Sequence, residues 1–324
     1  MYTSEELRRM VDSFIENLAF EREPGDLYAP IRYTISQGGK RVRPVLLLMA
    51  YNIYKENVDA ALYPAVAIET YHNYTLIHDD VMDRADIRRG MPTVCAKWGD
   101  TPAILSGDTM LVLAYEFLAH VPADKLPSML ALFTETAKEV GEGQQYDLDF
   151  ERRDDVPESD YMEMIRLKTS VLLAAALKLG AMLAGAGEED QECLYSFGEK
   201  MGLAFQLQDD LLDVYADQSL FGKKIGGDIC CNKKTFLLIT AMNSASPEQL
   251  AGMKEWMEKS EFDSAEKIAY FTAMYNELNV REACEKRIRE LFDECDECIA
   301  RLSVPEEKKA ALKAFADALL NRNL

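Results

Sequence analysis

The chain has 324 residues and a formal net charge of -20, from 56 Asp and Glu against 36 Lys and Arg. A field of that sign excludes a general nucleic-acid or anionic-membrane surface, because both partners select positive charge. Hydrophobic residues make up 48 % of the chain, and 17 Gly with 11 Pro are too few for a loop-rich or disordered protein, so a large apolar core is expected.

The N-terminal run MYTSEELRRMVDSFIENLAF mixes charge with apolar residues at helical spacing. It lacks the apolar core of a signal peptide, which predicts a cytoplasmic protein. Apolar residues at three- and four-residue spacing then predict helices near 4–20, 28–37, 44–54, 59–81, 101–119, 125–146 and 159–185. More follow near 189–215, 234–242, 247–259, 263–277, 279–302 and 305–321. No alternating strand pattern competes, and no Pro/Gly/Ser linker marks a boundary. The expected fold is all-α: one domain over 1–324, with about 13 helices around an apolar interior.

The most membrane-like stretch, Val171 to Ala186, is short of a span and contains Lys178, so it reads as a buried helix rather than a transmembrane segment. Seven cysteines without framework spacing fit a reducing compartment. Cys295 and Cys298 form a lone CxxC with no second pair or nearby His to complete a zinc site.

Two clusters share one internal spacing: DDVMD, with Asp79, Asp80 and Asp83, and DDLLD, with Asp209, Asp210 and Asp213. On a helix, i and i+4 share a face with i+1 alongside, so each cluster aims two or three carboxylates at one region. Acidic spacing alone is cheap: in so acidic a chain a loose acidic-acidic-x-x-acidic pattern arises roughly once or twice by chance. Asp154-Asp155-x-x-Glu158 and Glu188-Glu189-x-x-Glu192 fit that loose pattern, and both read as surface in polar, loop-like sequence. The all-Asp version is expected only roughly 0.15 times. Both copies sit in apolar helical sequence, YTLIHDDVM and AFQLQDDLLDVY, where carboxylates need a metal or cationic partner.

Cations follow the same logic. Arg88-Arg89-Gly90 comes just after the first cluster, at the expected helix end; a guanidinium fork suits phosphate, although a helix C-cap would look alike. Gly38-Gly39-Lys40-Arg41-Val42-Arg43-Pro44 places three cations in four positions beside a free backbone, a pattern equally open to an anion site or a solvated turn. From Ala216 to Lys234 a non-periodic stretch carries Lys223, Lys224, Lys233 and Lys234, as a mobile phosphate-binding flap would, but without a Walker pattern. Lys168 and Thr169 sit on the polar edge of an apolar helix. Acidic pairs with scattered cations describe a diphosphate ester held through magnesium, in which metals and cations stabilise the departing diphosphate and no protein nucleophile is needed. If a carbocation remains, the rest of the cavity should be apolar and exclude water.

In order along the chain stand GGKRVRP, HNYTLIHDDVMDRADIRRG, GQQYDLDFE, KTS, FQLQDDLLDV and GKKIGGD...NKKT. These motifs resemble those of the trans-isoprenyl diphosphate synthases of the farnesyl and geranylgeranyl type, over nearly the whole chain. The resemblance implies head-to-tail condensation: an allylic diphosphate ionises, isopentenyl diphosphate attacks through its double bond, and a proton leaves, taken by the departing diphosphate. It also implies that Asp79, Asp80, Asp83 and Asp209, supported by Asp210 and Asp213, bind about three magnesium ions. Arg88, Lys168, Lys224 and Lys233 would contact the allylic diphosphate, with Thr169, Gln206 and Gln144 as polar support. Lys40, Arg43, His72 and Arg89 would hold isopentenyl diphosphate. The main catalytic set is then Asp79, Asp80, Asp83, Arg88, Lys168, Asp209 and Lys224.

Two departures qualify the transfer: GKKIGGD has an extra lysine, so Lys223 could take the role of Lys224, and LLNRNL offers only Arg322 where relatives end in a more basic tail. Tyr74, with Thr75 beside it, lies five residues before Asp79, about one and a half helical turns. By the resemblance a bulky residue there forms a floor that stops the product at fifteen or twenty carbons. The resemblance also implies a homodimer. Two alternatives stand beside it: a class I terpene cyclase, which lacks the isopentenyl-site cations, and a catalytically silent regulatory subunit, against which the retention of every motif argues.

Overall fold

The structure, a computed structural model, describes residues 1–18, 20–216 and 225–320. It is all-α, as the periodicity predicts. Helices outnumber the expected thirteen because short ones, such as Val94–Trp98 and Gly227–Cys230, carry too few residues to show a period.

The chain forms two compact units. The first comprises 1–134, 175–195 and 302–312; the second comprises 135–174, 196–301 and the chain from 313 onward. In the first unit, α1 (Ser4–Glu16) starts at a capping box between Thr3 and Glu6 and buries Leu7, Val11 and Ile15 at four-residue spacing. The helix α2 (Gly25–Ser36) and the apolar α3 (Val42–Tyr54) follow. The next long helix, α4 (Leu62–Met82), is buried on most sides through its first half, including Ala65, Val66, Ala67 and Ile68. It packs on α3 and on α6 (Asp100–Leu118), which α5 (Val94–Trp98) precedes. The approach to α6 demands glycine: a Cβ on Gly107 would collide with the His78 imidazole. Toward solvent α6 exposes Ile104, Leu105 and Val112, the last at 67 %.

Between α4 and α5 the chain makes a two-residue antiparallel hairpin, Ile87–Arg88 with Met91–Pro92. Its turn residues Arg89 and Gly90 both have positive φ, 53° and 75°, as type I′ hairpins require. The arginine pair therefore belongs to a β-turn rather than to a helix C-cap, because α4 already ends at Met82 with Asp83 as its C-cap.

The helices α7 (Leu126–Phe150), α9 (Val171–Ala184), α10 (Glu188–Tyr215) and α16 (Glu306–Leu320) run from one unit into the other. The second unit also holds α8 (Glu158–Ile165), α11 (Gly227–Cys230), α12 (Phe236–Ser244), α13 (Pro247–Glu258), α14 (Ser264–Glu277) and α15 (Val280–Ala300). The two acidic decoys are exposed: Asp154 and Asp155 lie in the loop before α8, as expected, whereas Glu158 opens α8 and Glu188 and Glu189 open α10, where the helix dipole favours negative charge. The run Glu158–Ala184 is long and apolar enough to cross a membrane, and 78 % of its most apolar window is buried within the protein. Cys295 lies buried on α15 with its thiol toward the Phe197 carbonyl.

Candidate active site

In the first unit the Asp cluster closes α4. Asp79 is half-buried and Asp83 exposed, one turn apart, with the Asp83 N–H donating to the Asp79 carbonyl at 2.8 Å. Asp80 differs: it is 4 % exposed and accepts on Oδ1 from Arg88 Nε at 2.8 Å and Nη2 at 2.7 Å. Burial raises the Asp80 pKa more than Arg88 lowers it.

The basic turn reaches the same region. Gly38 and Gly39 have φ of +68° and +145°, and the Gly38 carbonyl accepts from Arg89 Nη1 at 2.6 Å. A Cβ on Gly39 would stand 3.1 Å from that nitrogen, so the turn needs a bare backbone there. Arg41 is withdrawn from the three-cation cluster: it is 4 % exposed and bound to Glu69 at 2.8 Å, Asp12 at 3.0 Å and the Ile35 carbonyl at 2.8 Å. Of the other two, Lys40 is exposed and Arg43 half-buried.

Arg43 keeps a buried Nε without a hydrogen-bond partner. Burial, opposed by Glu69 and reinforced by Arg89, pushes its pKa down to about 10. Burial also drives His72 well below its ordinary 6.5, and Arg43, Arg89, Arg88 and Arg41 push it further. The charges of these arginines therefore act on the His72 ring, although Arg88 is itself paired with Asp80 and Arg41 with Glu69 and Asp12.

One turn before His78 and close to Asp79, Tyr74 stacks edge-on with His78 at 4.8 Å and lies 5.4 Å from Tyr71, which meets Phe133 at 5.5 Å. After burial, the charges of Asp108 and Asp79 raise its pKa, so the phenol lies within electrostatic reach of the Asp cluster. Thr75 turns its hydroxyl onto the His72 carbonyl at 2.8 Å.

In the second unit Lys168 and Thr169 lie in a π-helical turn, Arg166–Ser170, that interrupts the long apolar helix. Such turns re-aim side chains and recur at functional sites. A Cβ on Gly143 of α7 would collide with the Lys168 backbone, so glycine allows α7 to press against this turn. Lys168 Nζ lies 2.6 Å from Asp147 Oδ2. Thr169 Oγ1 donates to Gln206 Oε1 at 3.4 Å, and Gln206 Nε2 donates to Asp210 Oδ1 at 3.4 Å.

The second Asp cluster splits as the first does. Asp209 is half-buried, whereas Asp210 is 3 % exposed and accepts from the Tyr161 hydroxyl at 2.5 Å and the Phe236 N–H at 3.2 Å. Burial pushes the Asp210 pKa up to about 7 against the pull of Tyr161. Asp213 accepts the Asp228 N–H at 3.0 Å. Lys233 is exposed, while Lys234 is buried and reaches Asp154 at 3.5 Å. Lys223, Lys224 and Arg322 lie outside the described residues.

Residues 24–275 match the polyprenyl synthetase family. The chain belongs to that family. It is 43 % identical over 247 residues to a geranylgeranyl diphosphate synthase of Methanosarcina mazei, covering 76 % of each chain. It superposes on a crystal structure of a geranylgeranyl pyrophosphate synthase with a TM-score of 0.95 at 39 % identity, covering 100 % of both chains. A third relative, the geranylgeranyl pyrophosphate synthase of Corynebacterium glutamicum solved with isoprenyl diphosphate and magnesium, gives 0.85 at 29 % identity, covering 99 % of this chain and 97 % of that one.

For a synthase of this family the donor chemistry fits magnesium. Asp79 and Asp83 are hard oxygen donors one turn apart with access to solvent. Among the described residues no three His, Cys, Asp or Glu side chains converge to hold an ion alone. Magnesium needs no such cage, since it takes one or two carboxylates and fills its shell with water and phosphate oxygens.

Sequence reasoning missed several supporting groups. Asp147 sits inside GQQYDLDFE, but nothing in its spacing pairs it with Lys168, 21 residues on. Glu69 and Tyr161 carry no motif, and only folding brings them to Arg41 and Asp210.

Proposed function

We propose that this trans-prenyltransferase condenses isopentenyl diphosphate head-to-tail with dimethylallyl, geranyl or farnesyl diphosphate, giving a short-chain product of fifteen to twenty carbons. The observation that carries the reading is the Arg43 Nε, buried without a hydrogen-bond partner, in a region where the charges of Arg43, Arg89 and Arg88 all act on His72. Such a region suits a compact polyanion.

In this reading Lys40, Arg43, His72 and Arg89 hold isopentenyl diphosphate. Arg88, Lys168, Lys224 and Lys233 hold the allylic diphosphate, with Thr169, Gln206 and Gln144 as polar support. About three magnesium ions would be held by Asp79, Asp80 and Asp83 in the first unit and by Asp209, supported by Asp210 and Asp213, in the second. Magnesium bound there supplies Lewis-acid neutralisation of the charge that develops on the departing diphosphate. The arginines and lysines add charge-assisted hydrogen bonds that strengthen as that charge grows. The buried Asp80 keeps the Arg88 fork aligned, and Asp147 does the same for Lys168. Tyr74, with Thr75 beside it, sets how far the hydrocarbon grows, supported by its aromatic contacts with Tyr71 and His78.

We further propose that the chain works as one catalytic domain in the cytoplasm, paired with a second copy through the exposed apolar face of α6. Purified protein incubated with isopentenyl diphosphate and each allylic primer, with and without magnesium, should yield a linear prenyl diphosphate only in the presence of the metal. No condensation with any primer would favour the silent subunit, and a cyclic hydrocarbon formed without isopentenyl diphosphate would favour the cyclase.

A further inference from the structure

Lys267 on α14 is 0 % exposed. Among the described residues it has no carboxylate within ion-pairing distance. Its ammonium instead donates to Asn232 Oδ1 at 2.7 Å and to the Cys230 carbonyl at 3.4 Å, and sits 4.2 Å from the centroid of the Phe262 ring. Dehydrating an ammonium is costly, and two neutral oxygens and a ring face replace its water less well than a carboxylate would, so this lysine is an expensive way to stabilise a core.

The turn that Lys267 grips leads directly to Lys233. Asn232 has φ of 55° and donates its amide to the Met257 carbonyl at 2.9 Å. Lys233 follows with its N–H on the Asp228 carbonyl at 2.9 Å. At the other end of this segment Asp213 holds Gly226 and Asp228, at 2.6 Å from its carbonyl and 3.0 Å from its carboxylate. The segment is thus tied to the second Asp cluster at its start and to Lys267 at its close.

We propose that Lys267 is a positioning residue for the allylic diphosphate: it locks the Cys230–Asn232 turn so that Lys233 presents its ammonium to that substrate. The proposal rests on the prenyltransferase reading and on Lys233 as a diphosphate contact. Lys267 does not touch substrate; it acts through the left-handed turn, whose Asn232 would otherwise be free to relax toward the commoner negative-φ region.

The test is steady-state kinetics on Lys267→Met, with Lys233→Ala as reference. Lys267→Met should raise the allylic KM by about tenfold while the isopentenyl diphosphate KM stays within about twofold, because the lost contacts address only the Lys233 turn. Lys233→Ala should show the same selectivity. If Lys267→Met does not fold, Asn232→Gly keeps the left-handed turn but removes the oxygen that Lys267 addresses, and the same selective rise is expected. Unchanged KM values in either variant, with only a lower melting temperature, would overturn the positioning role. An unchanged allylic KM in Lys233→Ala would overturn the assignment of Lys233 and the proposal with it, whereas a wild-type protein that condenses nothing would sink the prenyltransferase reading itself.

Discussion

Arg88 Nη2 lies 2.7 Å from Asp80 Oδ1, so two residues of one candidate site are bound to each other. Oδ1 of the middle carboxylate is taken up by a guanidinium, so within the proposed magnesium site Asp79 and Asp83 should carry the larger share of metal binding and Asp80 the smaller. Asp79→Asn and Asp83→Asn should therefore raise the magnesium concentration for half-maximal rate by about tenfold or more. Asp80→Asn should instead destabilise the fold by about 2 kcal/mol, discounted for the partial exposure of Arg88, and weaken allylic binding. Magnesium titrations and thermal melts on the three variants separate the roles; an Asp80→Asn protein that matches Asp79→Asn in both would refute the division.

The arginine cluster makes a substrate-selective prediction. Arg43→Met removes a buried fork whose unpaired Nε awaits an acceptor. The KM for isopentenyl diphosphate should rise about tenfold or more while that for the allylic substrate holds, as initial rates with each substrate varied in turn would show.

His72 ties stability to pH. Its folded pKa lies well below the ordinary 6.5, so below that pH the unfolded chain binds a proton that the folded protein refuses. The His72 contribution to stability should fall as pH drops from about 7.5 to about 5.5, by up to about 1.4 kcal/mol per pH unit below the unfolded value, whereas Asp210, pushed up to about 7, acts in the opposite direction and is common to wild type and variant. His72→Gln should flatten that dependence, and denaturant midpoints at the two pH values would reveal it. Equal slopes for the two proteins would show that another group controls the transition.

Product length should respond to Tyr74. Replacing it with Ala removes the ring that packs on His78 and Tyr71 and should shift the product distribution to longer prenyl diphosphates, read by chromatography of the dephosphorylated products. An unchanged distribution would remove Tyr74 as the floor.

The exposed face of α6 predicts assembly. Val112, 67 % exposed, lies two turns after Leu105, 53 % exposed, on the same side of the helix. Val112→Asp should convert a dimer to a monomer in sedimentation velocity, since a charge in the centre of an apolar contact cannot be rehydrated there. A dimer that survives the substitution would place the interface elsewhere.

By itself the sequence determined the fold class and most of the chemistry. The three- and four-residue apolar period is a local property of each segment, as is the spacing of Asp79, Asp80 and Asp83, so both are readable without knowing what any helix touches. Only the tertiary structure decided which members of those motifs are available for chemistry. It turned Arg41 inward onto Glu69, bound Asp80 to Arg88 and Asp210 to Tyr161, and brought Asp147 to Lys168 and Lys267 to Asn232. The reason is physical: each of these pairings depends on burial, which sets the cost of leaving a charge alone, and burial is decided by residues far away in the chain. The π-turn at Lys168 is of the same kind, since its sequence is that of an ordinary helix and the close approach permitted at Gly143 belongs to packing.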